Sequence, residues 1–303
     1  MIVSRKTLVS VTATGLATVL SAGLTMTAGA SASASGAVTT PAVARAPVVT
    51  FKVSSFNVLG TTHTVNSKTY AEGPVRIGWA ATLLARNDTS VVGFNELQYD
   101  QLARFVSVTD DSYGIYPADR LLRMDSNNSI AWRRSEWALM SKSVFQIPYF
   151  DGHLRSMPIV KLRNRASGLD SYFVNVHNPA TNRNHPNSDP YRRRATTIEI
   201  DLMNELRRDG LPIVLLGDMN AREHYFCRMT GEAPMKAARG GSNRNGVCDA
   251  DNPRSVSWIF GVRGLRFDNY REAESRLVQR ITDHRVLFSD VTVDGATFPA
   301  AVS

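Results

Sequence analysis

The segment "PIVLLGDMNA" carries four apolar residues into a glycine, then places a carboxylate, Asp218, and a carboxamide, Asn220, two positions apart. On an extended chain, side chains at i and i+2 share a face. Both oxygen-bearing groups therefore converge at the C-terminal end of the strand. Four other segments repeat the arrangement. "SSFNVLG" offers Asn57, "VVGFNELQ" offers Glu96 and "YFVNVHNPA" offers His177, while "ITDHRVLF" sets Asp283 and His284 just before an apolar run. Oxygen ligands without thiolates suit Mg²⁺, Mn²⁺ or Ca²⁺ rather than zinc. Histidines beside them suit proton transfer near neutral pH. Taken singly, each residue reads equally well as a cap or a turn former. One placement in five separate segments is what that reading leaves unexplained. His63, His153 and His185 have no such context.

Those side chains need elements to aim them. Alternating apolar and β-branched runs predict strands at "TFKVSSFNVL", "SVVGFNE", "NSIAWRR", "WALMS", "MPIVKLR", "SYFVNVH", "PIVLLGD", "SVSWIFG" and "HRVLFSDVTV". Helical periodicity predicts "PVRIGWAATLLARN", "YDQLARFVSV" and "DPYRRRATTIEIDLMNELRRDG". The last repeats Ile198, Leu202 and Leu206 on one face and stops at Gly210 and Pro212. Many strands with a few long helices between them imply an α/β domain with a mixed, two-sheet core.

The order of the polar segments resembles that of the endonuclease/exonuclease/phosphatase superfamily: Asn57, Glu96 in "FNELQ", His177 after an apolar strand, "GDMN", then "TDH". The resemblance runs from Phe51 to about Val293. It implies a four-layer α/β sandwich, with two mixed sheets face to face and helices outside. It also implies a divalent-metal site at Glu96 helped by Asn57, with Asp283 as a further metal-site or supporting carboxylate. Asp218 and Asn220 would position or activate the attacking water and hold the scissile phosphate. His284 would be the general base or phosphate-binding histidine, and His177 would face the leaving oxygen, as in the deoxyribonuclease-like branch. The implied cofactor is Mg²⁺, with Mn²⁺ or Ca²⁺ as alternatives. The implied substrate is nucleic acid, with a phospholipid head group as the alternative. A monomer without a stable protein partner is expected.

One position departs from the family pattern. Where members usually carry an aspartate that orients the last histidine, "SVSWIFG" has Ser257. A hydroxyl accepts a hydrogen bond but cannot stabilise an imidazolium as a charge does. Asp249 or Asp251 could supply the missing carboxylate, Ser257 could suffice with water, or the site could be weakened to a polyanion-binding domain. Asn128, Trp132 and Arg133 fall on a strand that lines the cleft in some members.

The rest of the chain bounds these expectations. Arg5 and Lys6, a mainly apolar stretch and the small-residue run "AGASASA" have the three-part layout of a secretory signal peptide. The expected organisation is a signal peptide at 1–34, a linker at 35–48 and one catalytic domain at 49–303, with the product secreted. The formal net charge of +8 accords with an anionic substrate. Cys227 and Cys248 are the only cysteines, and in an exported chain they predict a disulfide. It would close a loop of about 22 residues, worth roughly 3 kcal/mol, across a Gly-, Ala- and Asn-rich stretch with little to bury. In "YRRRA", three consecutive arginines cannot share one helix side. A solvated face is expected there, although arginine is a common phosphate contact.

Overall fold

The computed structural model describes residues 48–118 and 127–298. The expected signal peptide at 1–34 and residues 35–47 of the expected linker lie outside them. Among the described residues, no helix is long and apolar enough to cross a membrane.

Two six-stranded mixed sheets form the core. The first contains β1 (Val48–Asn57), β2 (Val91–Asn95), β3 (Tyr113–Tyr116), β4 (Ser129–Arg133), β13 (Arg266–Ala273) and β14 (Val286–Asp294), in the order β13-β14-β1-β2-β4-β3. The second contains β5 (Trp137–Pro148), β6 (Leu154–Asn164), β7 (Asp170–His177), β8 (Ile213–Asp218), β9 (Met235–Ala237) and β12 (Ser257–Val262), in the order β5-β6-β7-β8-β12-β9. Each sheet has one parallel pair, β1 with β2 and β7 with β8. The other pairings are antiparallel.

The central strands are buried on both faces, so their alternation sorts side chains between two apolar layers. In β2, Val91 joins the layer between the sheets, while Val92 and Phe94 face α1 (Gly73–Arg86) and α2 (Tyr99–Thr109). The second sheet is covered by α3 (Asp189–Leu206) and α4 (Glu223–Glu232), whose Ala195, Ile200, Met203, Phe226 and Met229 pack on it. A short α5 (Arg276–Ile281) completes the outer layer of the first sheet. The expected four-layer α/β sandwich is thus the observed architecture.

The two sheets approach closely at Gly93. A Cβ placed on Gly93 would lie 2.6 Å from the Asn175 carboxamide oxygen and 2.8 Å from the Leu216 Cβ. Gly217, at φ +147°, would bring a Cβ to 2.0 Å from the Val176 carbonyl oxygen. The facing sheet excludes a side chain at Gly93, and the neighbouring strand β7 of the same sheet excludes one at Gly217.

Sequence reading missed β13, whose "RFDNYREA" is too polar to show a period, and the short α4 and α5. Cys227 and Cys248 are joined as expected. The segment between them is more structured than its composition suggested, because α4 buries Met229 and the chain then buries Ala233 and Met235. The disulfide ties α4 to the second strand of the hairpin β10 (Ser242–Arg244) and β11 (Val247–Asp249).

Gly93→Ala should push the sheets apart and cost about 1–3 kcal/mol, as overpacking of a filled core does. A shift of the urea unfolding midpoint to lower concentration, at unchanged slope, is the expected result.

Candidate active site

The two parallel pairs place their C-terminal ends together, and the polar residues predicted for those ends meet there. His177 and Asp218 are register partners across β7 and β8, and Asn57 pairs with Asn95, the residue before Glu96, across β1 and β2. A cleft of about 480 Å³ is lined by Glu96, His177, Asp218, Asn220 and His284. Asn57 is buried beside two of its carboxylates. It donates from Nδ2 to Glu96 Oε1 at 2.9 Å and to Asp218 Oδ2 at 3.3 Å, while its Oδ1 accepts the Leu59 N–H at 3.0 Å. Asn57 therefore reaches both carboxylates as a donor. Asp283 lies on an adjoining opening shared with Glu96, His63 and His284, and its side chain is about half exposed.

Glu96 adopts φ +61°, a left-handed conformation that costs a non-glycine residue about 1–3 kcal/mol. The turn lets its second oxygen, Oε2, accept the Gly60 N–H at 3.0 Å. Burial alone would raise its carboxyl, but His177, the Asn57 amide, the Gly60 N–H and His63 together hold it below the ordinary glutamate value. Asn220, also left-handed at φ +46°, donates its own N–H to Asp218 Oδ1 at 3.0 Å and its side-chain amide to the Asn178 carbonyl at 2.9 Å. Asparagine tolerates that conformation better than most residues.

The two histidines differ in environment. His177 is 5% exposed, and its Nε2 lies 4.0 Å from Glu96 Oε1. Burial pushes its imidazole down, against the upward pull of Asp218 and Glu96. His284 is more open, with Nδ1 3.5 Å from Asp218 Oδ2 and Nε2 3.8 Å from Asp283 Oδ1. Its backbone is fixed by Thr282, whose hydroxyl accepts the His284 N–H at 3.1 Å and donates to the Asn57 carbonyl at 2.8 Å.

Ser257 is the register partner of Asp218 on β12. With His284, Arg254, Glu272 and Arg285 it lines a separate cavity of about 310 Å³. Asp249 accepts the Asp251 N–H at 3.0 Å, and neither residue lines that cavity. The carboxylates there are Asp283 and Glu272, the latter bonded to Arg285 and Tyr270 and ion-paired with Arg239. Of the strand expected to line the cleft, Asn128 stands at the site end and accepts from Asn95 Nδ2 at 3.3 Å. Trp132 packs between the sheets instead, and Arg133, beyond it, bonds Asp88 and Glu136.

Sequence reading passed over further residues of the cleft. His63 Nε2 lies 3.5 Å from Glu96 Oε2, and His153 and Arg155 line the cleft. Arg155 stacks 4.1 Å over the Tyr149 ring, whose hydroxyl burial pushes up to about 12. None of these sits at the end of a periodic run, so no local signal marked them. Arg76 was also unmarked. Wholly buried, it donates to the carbonyls of Val58, Leu59, Ala71 and Ile281 and to Thr64 Oγ1. It thereby ties the chain after Asn57 to the chain before Asp283.

Among the described residues, no three His, Cys, Asp or Glu side chains form a metal cage. The oxygen donors nevertheless fit a hard cation of the Mg²⁺ type, which is usually held by one or two carboxylates with water and substrate phosphate.

A sequence model of the Endonuclease/Exonuclease/phosphatase family matches residues 54–267. None of the curated proteins compared with the chain matches it. Among solved structures, the fold is similar to that of an endonuclease/exonuclease/phosphatase family protein from Bacteroides thetaiotaomicron, at TM-score 0.63 and 15% identity, covering 82% of this chain and 96% of that one. A mannosyl-6-phosphatase from the same organism matches at TM-score 0.61 and 14% identity, over 80% and 99% of the two chains. The human Nocturnin catalytic domain with bound sulfate matches at TM-score 0.60 and 12% identity, over 81% and 96%. At these identities the likeness is one of fold.

Behind the cleft, α3 buries Glu199, whose Oε2 accepts from the Tyr225 hydroxyl at 2.8 Å and from Asn178 Nδ2 at 3.4 Å. Burial raises this carboxyl to about 7. Because the folded value exceeds the unfolded one, the native state holds the proton more tightly. The resulting stability is fully present below about pH 4.5 and is lost as pH rises through about 7, by about 1.4 kcal/mol per unit at most. Relative to Glu199→Gln, the unsubstituted protein should therefore lose unfolding free energy between pH 5 and pH 7. Parallel denaturant titrations of the two proteins across that range check this.

Proposed function

The chain belongs to the endonuclease/exonuclease/phosphatase family, and on that premise we propose that it is a secreted, divalent-metal-dependent phosphodiesterase acting as an extracellular nuclease. The observation that carries the reading is the meeting of Glu96, Asp218, His177 and His284 in one cleft. Its expected organisation is a signal peptide at 1–34, a linker at 35–48 and the catalytic domain at 49–303. The layout of the first residues and the Cys227–Cys248 disulfide support export.

Glu96 would hold the ion, Mg²⁺ or alternatively Mn²⁺ or Ca²⁺, with Asp283 at the same opening; the ion supplies positive charge against which phosphate oxygens are stabilised. Asn57 serves this site by holding the Glu96 carboxylate in place. Asn220, with its backbone tied to Asp218 and its amide to Asn178, presents a fixed carboxamide to the scissile phosphate. His284 accepts the proton of the attacking water, and the buried Asp218 carboxylate beside its Nδ1 favours the imidazolium that forms. The bond from water oxygen to phosphorus forms as the ester bond on the opposite side breaks. His177, kept neutral by burial, hydrogen-bonds the departing oxygen, which takes a proton from solvent as it leaves while His284 returns its proton to solvent. Pre-positioned donors around a phosphodiester favour the more highly charged transition state.

Ser257 favours a second reading, a weakened enzyme that mainly binds polyanions. Asp218 already stands beside the His284 ring nitrogen, which supports turnover without an aspartate at 257. Ser257→Asp separates the two cases. Faster turnover would mean that the serine limits the rate, whereas an unchanged or lower rate would mean that Asp218 suffices.

Incubated with supercoiled plasmid and Mg²⁺, Mn²⁺ or Ca²⁺, the purified protein should nick DNA. EDTA should abolish the activity, and His284→Ala should lower the rate by about 10²–10⁴. Intact plasmid under every metal condition would refute the nuclease assignment.

A further inference from the structure

Beside the catalytic cleft, the N-terminal turns of α3 and α4 enclose a groove of about 420 Å³, lined by Arg192, Arg193, Arg222 and His224. The groove and the cleft share Ala180 and Asn220 as walls. A chain leaving the cleft past Asn220 therefore enters the groove directly. The three consecutive arginines of "YRRRA" divide their work here. Arg192 is structural: it bonds the Pro179 carbonyl at 2.6 Å and Thr181 Oγ1 at 3.2 Å, and pairs with Asp189. Arg194 faces solvent. Arg193 and Arg222 are exposed and make no ion pair among the described residues.

Two unneutralised guanidiniums on one groove repel each other and Arg192. Burial pushes the Arg192 guanidinium down, and the charges of Arg193 and Arg222 push it further. Among the described residues, Asp189 is the only carboxylate on the groove wall, and Arg192 already pairs with it. The first turns of two helices, of 18 and 10 residues, also open onto the groove, and such turns favour negative charge. An anion lodged between Arg193 and Arg222 relieves that repulsion, and a planar guanidinium matches phosphate geometry. An isolated phosphomonoester in the cleft has nothing to place there. A strand with phosphates on both sides of the scissile one does.

Resting on the nuclease reading, we infer that Arg193 and Arg222 form a subsite for a flanking phosphate of a nucleic-acid strand, one step beyond the scissile phosphate on the Asn220 side. The two arginines are contacts for binding; the chemistry stays in the cleft.

Binding can be measured without cleavage. A fluorescein-labelled, single-stranded DNA octamer is titrated in EDTA with the unsubstituted protein, with Arg193→Gln/Arg222→Gln, and with Arg207→Gln/Arg208→Gln. The last removes the same charge from the far end of α3. The Arg193/Arg222 variant should bind about tenfold more weakly, and its slope of log Kd against log salt should fall by about 0.7, as for one fewer neutralised phosphate on a single strand. The Arg207/Arg208 variant should bind like the unsubstituted protein. Equal losses in the two variants would mean that net charge alone is at work, and would overturn the subsite. So would no binding by the unsubstituted protein, or no loss at Arg193/Arg222. Plasmid nicking is scored separately, so loss of binding without nuclease activity would leave the subsite standing while removing the nuclease reading.

Discussion

A small set of buried amides holds the two sheets in one relative position, and the cleft exists because of it. Asn175 of β7 donates to the Phe94 carbonyl of the facing sheet at 2.7 Å and to the Ser129 carbonyl at 3.2 Å. Asn95 of β2 returns the contact, donating to the Val176 carbonyl at 3.0 Å and accepting the Asp218 N–H at 3.0 Å. Ser55 accepts the Gly217 N–H at 3.1 Å. All three side chains are buried, so leaving any of them unpaired would cost about 1–3 kcal/mol. An apolar interface tolerates sliding by a few ångströms, because dispersion has no preferred direction. Directional bonds between backbone and side chain do not. The lock sits at the site end of the sheets, where Gly93 allows the approach that such bonds require.

The site residues inherit their positions from this lock. Asp218 donates its backbone N–H to the carboxamide oxygen of Asn95, the residue before Glu96, so the carboxylates of the two sheets are registered through one amide. Asn57 then bridges them from the first sheet. Arg76 does comparable work on the outer side, satisfying four carbonyls and a hydroxyl with one wholly buried cation. Burying an unpaired charge is costly, and its guanidinium is pushed down accordingly. The segments it binds are those that carry Asn57 and Asp283.

The electrostatics of the cleft follow from depth. His177, on a strand buried on both faces, loses its proton readily because burial disfavours its charged form. His284, on the turn before β14, retains access to solvent and to the Asp218 carboxylate. The positive charge lies elsewhere, at Arg155 beside the cleft and at Arg193 and Arg222 beyond Asn220. A substrate with one phosphate meets part of that field, and an extended polyanion meets more of it.

Much of this was legible in the chain. Alternation marked the strands that carry Asn57, Glu96, His177 and Asp218, because a strand buried on both faces must be apolar until it reaches the sheet edge, where polar groups can meet solvent and one another. The two cysteines announced their own pairing. Composition hid α4 and β13, whose short or edge positions need little apolar surface of their own. Tertiary structure alone decided which strand ends meet. Nothing near Asn57 encodes its contact with Asp218, 161 residues away. His63 and Arg222, in connecting segments, and Arg155, at the start of β6, carry no period and acquire meaning only beside the cleft. Ser257 shows the same division. Its sequence marks a missing carboxylate, while the fold sets Asp218 and Asp283 beside His284 and leaves Glu272 lining the same cavity. A side chain's type is local information; its neighbours are a property of the closed sheets.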